Sequence, residues 1–258
     1  MLTCCVCAGA WAQGTLNVPE VNRKGGTVNQ AIIVKKSASR EGVVKIQLAN
    51  SANYRDMQFD LTLPDGISLV TEPTTENPVV KVDAKEGQNH VLFYALEGQT
   101  VKIAVVDNVV NLPETTQTAS AEDYGKYLAD GIVFELPIQA TADFTDVKNA
   151  TIANLAFTDD AATADITATA EPFGIAMIQL GDVTDDGNVD ISDAQASVAY
   201  SFNNPPSVFV EEVADLTENG AIDISDAQAL VALLFAGSSS TPAKQFVEDE
   251  VENELDPE

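Results

Sequence analysis

Two twelve-residue runs of oxygen-bearing side chains stand near the C-terminal part of the chain. The first is Asp182-Val-Thr-Asp-Asp-Gly-Asn-Val-Asp-Ile-Ser-Asp193. The second, 33 residues later, is Asp215-Leu-Thr-Glu-Asn-Gly-Ala-Ile-Asp-Ile-Ser-Asp226. A loop that wraps a hard cation such as calcium needs six to eight oxygens, which a twelve-residue loop offers from positions 1, 3, 5, 7, 9 and 12. In the first run these positions are Asp182, Thr184, Asp186, the Asn188 carbonyl, Asp190 and Asp193. In the second they are Asp215, Thr217, Asn219, the Ala221 carbonyl, Asp223 and Asp226. Gly187 and Gly220 fall at position 6, where the sharp turn calls for a residue without Cβ. Two bound calcium ions are therefore expected, held more tightly by the first loop, which has the neutral Asn219 replaced by Asp186.

The charge distribution points to the same place. The 258-residue chain carries a net charge of -27, which argues against binding nucleic acid or anionic membrane surfaces. Residues 1–180 contribute -10 and residues 237–258 contribute -6, while residues 181–236 contribute -11 without a single Lys or Arg. Two calcium ions would bring that middle block to -7. The hydrophobic content of 45% is ample for a buried core.

Each loop leads into a helical pattern. Ser192-Asp-Ala-Gln195 and Ser225-Asp-Ala-Gln228 read as S-x-x-Q capping boxes. Asp193 and Asp226 fall in the first turn, where the helix dipole favours an anion. The apolar residues that follow align between copies as Val198 with Val231, Tyr200 with Leu233 and Phe202 with Phe235. Val189 and Ile222 at position 8 are expected to pair the loops back to back. Pro205 and Pro206 are expected to end the first helix, and Val208–Val213 to form a short connecting helix.

Upstream, residues 13–178 read as a β-sandwich. Short runs rich in β-branched and aromatic residues recur between turn signals: 31–34, 43–48, 57–63, 90–96, 101–106, 132–139, 152–156 and 165–168. Met57, Phe59, Leu61 and Leu63 share one face at period two, before the Pro64-Asp65-Gly66 turn. Val44, Ile46 and Leu48 do the same. An antiparallel two-sheet arrangement of the immunoglobulin-like kind suits this pattern. Residues 114–129 read as a long loop or short helix.

The two ends read differently. Residues 1–12, MLTCCVCAGAWA, are apolar and end in Ala-Trp-Ala, matching a secretory signal peptide without its charged n-region. Export to the cell surface or beyond is expected, freely or as a lipoprotein. All three cysteines and Trp11 lie in that segment, so thiol chemistry and disulfides are excluded after it. Residues 238–258 read as an acidic disordered tail, which makes 179–237 the helical unit. No segment is long and apolar enough to span a membrane. His90, the one histidine, has no catalytic companion in sequence, and the scattered carboxylate pairs imply no acid–base dyad, so the chain is not expected to be an enzyme. Tyr54, Phe93, Tyr94, Tyr124 and Tyr127 are the aromatics available to stack on a polysaccharide, although core packing also accounts for them.

The duplicated loop–helix without an entering helix resembles the type I dockerin domain over residues 180–236. The resemblance implies two calcium ions and a cohesin-type partner. It further implies that positions 10 and 11, here Ile191-Ser192 and Ile224-Ser225, take part in partner choice, in either of two orientations. This chain departs from the family's usual hydroxyl pair at those positions and has Thr at position 3 of both loops. The run Phe59-Asp-Leu-Thr-Leu-Pro-Asp-Gly-Ile67 makes the upstream region similar to the cohesin-like sandwich of secreted polysaccharide-degrading systems. Three functions remain open on these grounds. They are assembly through the dockerin, a carbohydrate-binding sandwich tethered by it, and a dockerin that caps its own β-sandwich.

Overall fold

The structure, a computed structural model, describes residues 14–49, 54–74, 79–83, 90–107, 128, 131, 133–145, 147–158, 166–168 and 170–236. The expected signal segment, the acidic tail and the 114–129 stretch, apart from Leu128, lie outside them. Among the described residues, thirteen strands form one sheet that curls upon itself. They are β1 (Thr15–Asn17), β2 (Glu20–Arg23), β3 (Gly26–Lys35), β4 (Arg40–Ala49), β5 (Asp56–Thr62), β6 (Ile67–Leu69) and β7 (Lys81–Asp83). Beyond these come β8 (His90–Glu97), β9 (Thr100–Asp107), β10 (Val133–Ala140), β11 (Lys148–Thr158), β12 (Ile166–Thr167) and β13 (Phe173–Gln179). Neighbours run β6-β10-β4-β3-β13-β11-β5-β9-β8, with β1, β2, β7 and β12 paired at the margins.

The curl brings the β10 and β5 ends face to face, and Phe59 meets Phe134 edge-on with ring centroids 5.3 Å apart. The alternating strands supply that core as their sequence demands. Met57, Phe59 and Leu61 of β5, and Val44, Ile46 and Leu48 of β4, are all buried. Ile67 N–H donates to the Pro64 carbonyl across the expected turn, and Gly66 takes a φ of 89°.

Strands β3 and β13 do not alternate, for a structural reason. In β3, Ala31, Ile32 and Ile33 are consecutive and buried, and in β13 the run from Phe173 to Ala176 is buried throughout. Ile33 and Ile175 face the sandwich core, whereas Ile32, Ala176 and Ile178 face a second apolar cluster on the outer side of the sheet. A strand covered on both faces reads as a continuous apolar run. Strand β13 carries no alternation to announce it, and the sequence reading passes over it. It pairs with β3 in parallel, from Gly174↔Gln30 to Gln179↔Lys35, so the arrangement is antiparallel except at this seam.

The second cluster is completed by the helical unit: α1 (Ile191–Ser201), a 3-10 turn at Glu211–Val213 and α2 (Ile224–Ala236). Its Val183, Ala196, Phe209, Val210, Val213 and Ala214 pack with Val21, Ile32, Ala176 and Ile178 of the sheet. Tyr200 stacks on Phe209 with centroids 4.4 Å apart. At the join, Leu180 N–H donates to the Lys35 carbonyl and Gly181 N–H to the Val213 carbonyl.

Candidate metal centre

The two loops share the same backbone-amide bonds to their carboxylates and position 5 side chains. Their side-chain bonds within the loop differ only in two long contacts, Asn188 Nδ2 to Asp186 and Thr217 Oγ1 to Asp215, both at 3.4 Å. In loop one, Asp182 accepts from the amides of Asp186 and Gly187, both at 3.1 Å. In loop two, Asp215 accepts from the amides of Asn219 and Gly220 at 3.2 and 2.9 Å. The position 12 carboxylates tie the loop ends together. Asp193 accepts from the Thr184 and Asp190 amides at 2.9 Å each, and Asp226 from those of Thr217 and Asp223 at 3.0 and 2.9 Å. The position 5 side chains, Asp186 and Asn219, accept from the amide two residues on. Gly187 and Gly220 have φ of 91° and 82°, the left-handed region that a side chain disfavours.

The position 3 hydroxyls of Thr184 and Thr217 each donate to the position 12 aspartate at 2.9 Å. As placed, no three His, Cys, Asp or Glu side chains among the described residues stand close enough together to hold a metal. The carboxylates are turned onto loop amides; Asp193 and Asp226 Oδ1 each accept two bonds, from the amide and the hydroxyl of the position 3 threonine, while their Oδ2 atoms accept one and keep a lone pair for a cation. The donor set is all oxygen, which fits a hard cation. Burial bears on the same point. Asp193 and Asp226 have no exposed surface and Asp182 has 3%. Burial pushes the Asp182 carboxyl above its ordinary value, against the two amides that lower it, and the Asp193 and Asp186 charges push it further up. A divalent ion would offset the charge of such buried carboxylates in a block without bases.

The helix starts differ from the sequence reading. Asp190 is the N-cap of α1 and accepts from Ser192 N–H at 2.7 Å, while Asp193 receives the Asp190 N–H. Asp223, Ser225 and Asp226 repeat this at α2. The capping box thus uses the loop's own aspartates, because a carboxylate at N-cap holds the amide that the Ser box would have left to Gln195 and Gln228. The serines contribute hydroxyls to the same aspartates, at 2.7 and 2.6 Å. Helix α1 ends before the prolines, at Phe202, with Asn203 in the left-handed region at φ 57°. The connecting helix shortens to the 3-10 turn. Val189 and Ile222 are half-buried and lie in no strand bridge among the described residues.

Of the four residues expected to choose a partner, Ile191 and Ile224 are exposed, while Ser192 and Ser225 are half-buried in the caps. Two residues whose side chains reach outside the helical unit escape the sequence reading: Asp185 and Glu218, at position 4 of each loop. Asp185 accepts from Arg23 Nε and Nη2 at 2.8 and 2.9 Å and from the Lys24 amide at 2.9 Å. Burial pushes its carboxyl up, but the Arg23 and Lys24 bonds outweigh this and hold it below the ordinary value. Glu218 pairs with Lys36. A repeated acid at a non-liganding position was the only signal for them.

On the sandwich, Tyr54 is buried and stacks on Phe157 at 4.5 Å, whereas Phe93 and Tyr94 are exposed; Tyr124 and Tyr127 lie outside the described residues. His90 begins β8, with Nε2 2.7 Å from the Arg55 carbonyl oxygen. No helix among the described residues is long and apolar enough to cross a membrane.

Residues 180–234 match the family model of the type I dockerin domain. Domains of this family bind calcium, pair with cohesin domains in non-catalytic assembly and occur typically in extracellular proteins. In sequence, no curated protein matches the chain. Among solved structures, the sandwich is similar to a non-cellulosomal cohesin from Archaeoglobus fulgidus, at 12% identity and a TM-score of 0.41, covering 65% of this chain and 92% of that one. It is also similar to a chain of a type I cohesin–dockerin complex from Clostridium thermocellum (11% identity, TM-score 0.40, covering 64% and 99%). A third similar structure is a type III cohesin module of Ruminococcus flavefaciens (12% identity, TM-score 0.36, covering 64% and 99%).

Proposed function

We propose that this is an exported, non-catalytic assembly protein. Its two loops, at the ligand positions named above, bind two calcium ions and so order a helical unit that captures a cohesin-type partner. One observation carries this reading. The exposed surface of the helical unit carries large apolar side chains at positions related by the repeat. Ile191 and Ile224 lie at the helix starts, and Phe202 and Phe235, 73% and 69% exposed, lie at the helix ends. Exposed aromatics in matched pairs mark a protein-binding surface. A near-symmetric surface of this kind also offers a partner two orientations. The rest of the unit is seated on its own sheet and caps the apolar strip of β3 and β13.

The boundaries that follow are a signal at 1–12, a sandwich at 13–178, a dockerin at 179–237 and an acidic tail at 238–258. The test is calcium-dependent capture of a purified cohesin-type module by the full chain. Binding that survives chelator, or that is unchanged in the Phe202→Ala/Phe235→Ala variant, ends the proposal.

One observation favours a second role for the sandwich in polysaccharide binding. An open groove of about 590 Å³ on the outer face of β11-β5-β9-β8 brings the Phe93 ring, which shares the register of Gln58 and Ala104, together with Gln58, Asp60, Lys102 and Asn154, with Tyr94 at its edge. Such a mixture of aromatic faces and polar tips suits a sugar. A glycan array that shows no binding, or binding untouched by Phe93→Ala, removes this role and leaves assembly standing.

A further inference from the structure

The 33-residue repeat places Asp185 and Glu218 at the same loop position. Both are non-glycine residues in the left-handed region, at φ 52° and 56°. Position 4 is not a ligand position, yet both side chains leave the helical unit and reach cations of the sandwich. Arg23, the last residue of β2, grips Asp185 with two parallel N–H donors, and Gln30 Oε1 holds the remaining arm through Nη1 at 2.7 Å. Lys36, directly after β3, reaches Glu218. Between and beneath these contacts lie Val21, Ile32 and Ile178 against Phe209, Val210 and Val213.

We propose that the position 4 acids are docking residues, and that cation binding by the loops is coupled to seating of the helical unit on its own sheet. The proposal rests on the calcium reading of the loops. The physical link is the backbone. Residues 3 and 5 of each loop flank the docking acid, and the amides of residues 5 and 6 are held by the position 1 carboxylate. A cation that closes the loop therefore sets the direction of the acid. Without it, the crowded carboxylates repel and the left-handed position 4 conformation loses its support. Charge does not oppose the coupling. Loop one holds five acids, so after a divalent ion binds it remains at -3 and still attracts Arg23 and Lys24. The pins also differ, with a forked Asp–Arg pair at one loop and a longer Glu–Lys pair at the other, so they fix one orientation of a unit whose repeats are otherwise nearly interchangeable. Coupling is reciprocal: if calcium tightens docking, docking tightens calcium.

The test is calorimetric calcium titration of the full chain carrying Arg23→Gln/Lys36→Gln, beside Lys81→Gln, an exposed residue of β7, as a control away from both ion pairs. Removing nearby positive charge by itself would tighten calcium. Coupling predicts the opposite sign, a weakening of about fivefold or more, larger for loop one. Arg23→Lys keeps the charge and loses the fork, so it weakens loop one without any charge change and covers the case of a double variant that fails to fold. In the parent chain, chelator should speed exchange of the Lys24 amide, which Asp185 accepts. Equal or tighter calcium binding in the variants, or a Lys24 amide indifferent to chelator, overturns the coupling and leaves the assembly reading intact. A parent chain that binds no calcium overturns both.

Discussion

Loop one and loop two are built from nearly the same residues and close with the same hydrogen bonds, yet their surroundings differ. Asp182 is buried, whereas its counterpart Asp215 is half-buried. Asp186 and Asn219 perform the same backbone task, accepting from the amide two residues on at 2.9 and 2.8 Å, so the change from carboxylate to amide alters charge and leaves the fold of the loop alone. Asp185 is gripped in a forked, partly buried pair, whereas Glu218 meets Lys36 at the surface. A repeat thus specifies local geometry twice. Its place against the sheet decides how much each copy contributes.

The largest predicted effect removes what the loops share. Asp193→Ala leaves the partly buried amides of Thr184 and Asp190 without their acceptor, at about 1 kcal/mol for each group, the low end for an unsatisfied amide because water can reach them in part. Asp226→Ala does the same in loop two, and each variant should show one calcium-binding event by calorimetry where the parent shows two. A variant retaining both events would break the assignment of position 12.

The next effect tests the one charge difference between the ligand sets. Asn219→Asp should raise the calcium affinity of loop two on the order of tenfold and bring it toward loop one, with little change in the metal-free melting curve. An unchanged affinity would mean that the surroundings, and not ligand charge, separate the loops.

A smaller effect sharpens the account of the helix starts. Asp190→Ala should cost about 1 kcal/mol of stability in chelator, whereas Gln195→Ala should stay within about 0.5 kcal/mol. The reverse order in thermal unfolding would restore the serine capping box.

The smallest effect is electrostatic and lies at the module junction. Burial pushes the Glu212 carboxyl above its ordinary value, and the Glu211 charge adds to this, while Lys45 and Arg23 pull the other way. A carboxyl with a raised folded value stabilises the fold when protonated. That contribution is present below the ordinary value near 4.3 and is lost as pH rises through the higher folded value. Because the residue keeps exposed surface, screening holds the effect below about 1 kcal/mol. Glu212→Gln should flatten the stability profile in that window. A profile identical to the parent's would place the dependence elsewhere.

Much of the sandwich could be read in advance where one face meets the core and the other meets water. The alternation of β4 and β5 gave their inward residues correctly for that reason. Strand β13 could not be read this way, since a strip buried on both faces has no period, and what covers its outer face comes from residues after position 180. The helix caps were misplaced by two residues because two motifs competed for the same amides, and the shorter Asp190 bond prevails over the reach of Gln195.

The amino-acid sequence alone determined the loops. Their oxygen spacing, their glycines and the aspartates that start each helix act over twelve residues, and local chemistry decides such short-range geometry. The tertiary structure decided where those loops sit. Arg23 and Asp185 are 162 residues apart along the chain, and no periodicity links them. Only the parallel pairing of β13 with β3 carries the chain back to the outer face of the sheet, where acids that look like ordinary solvated loop residues find their cations.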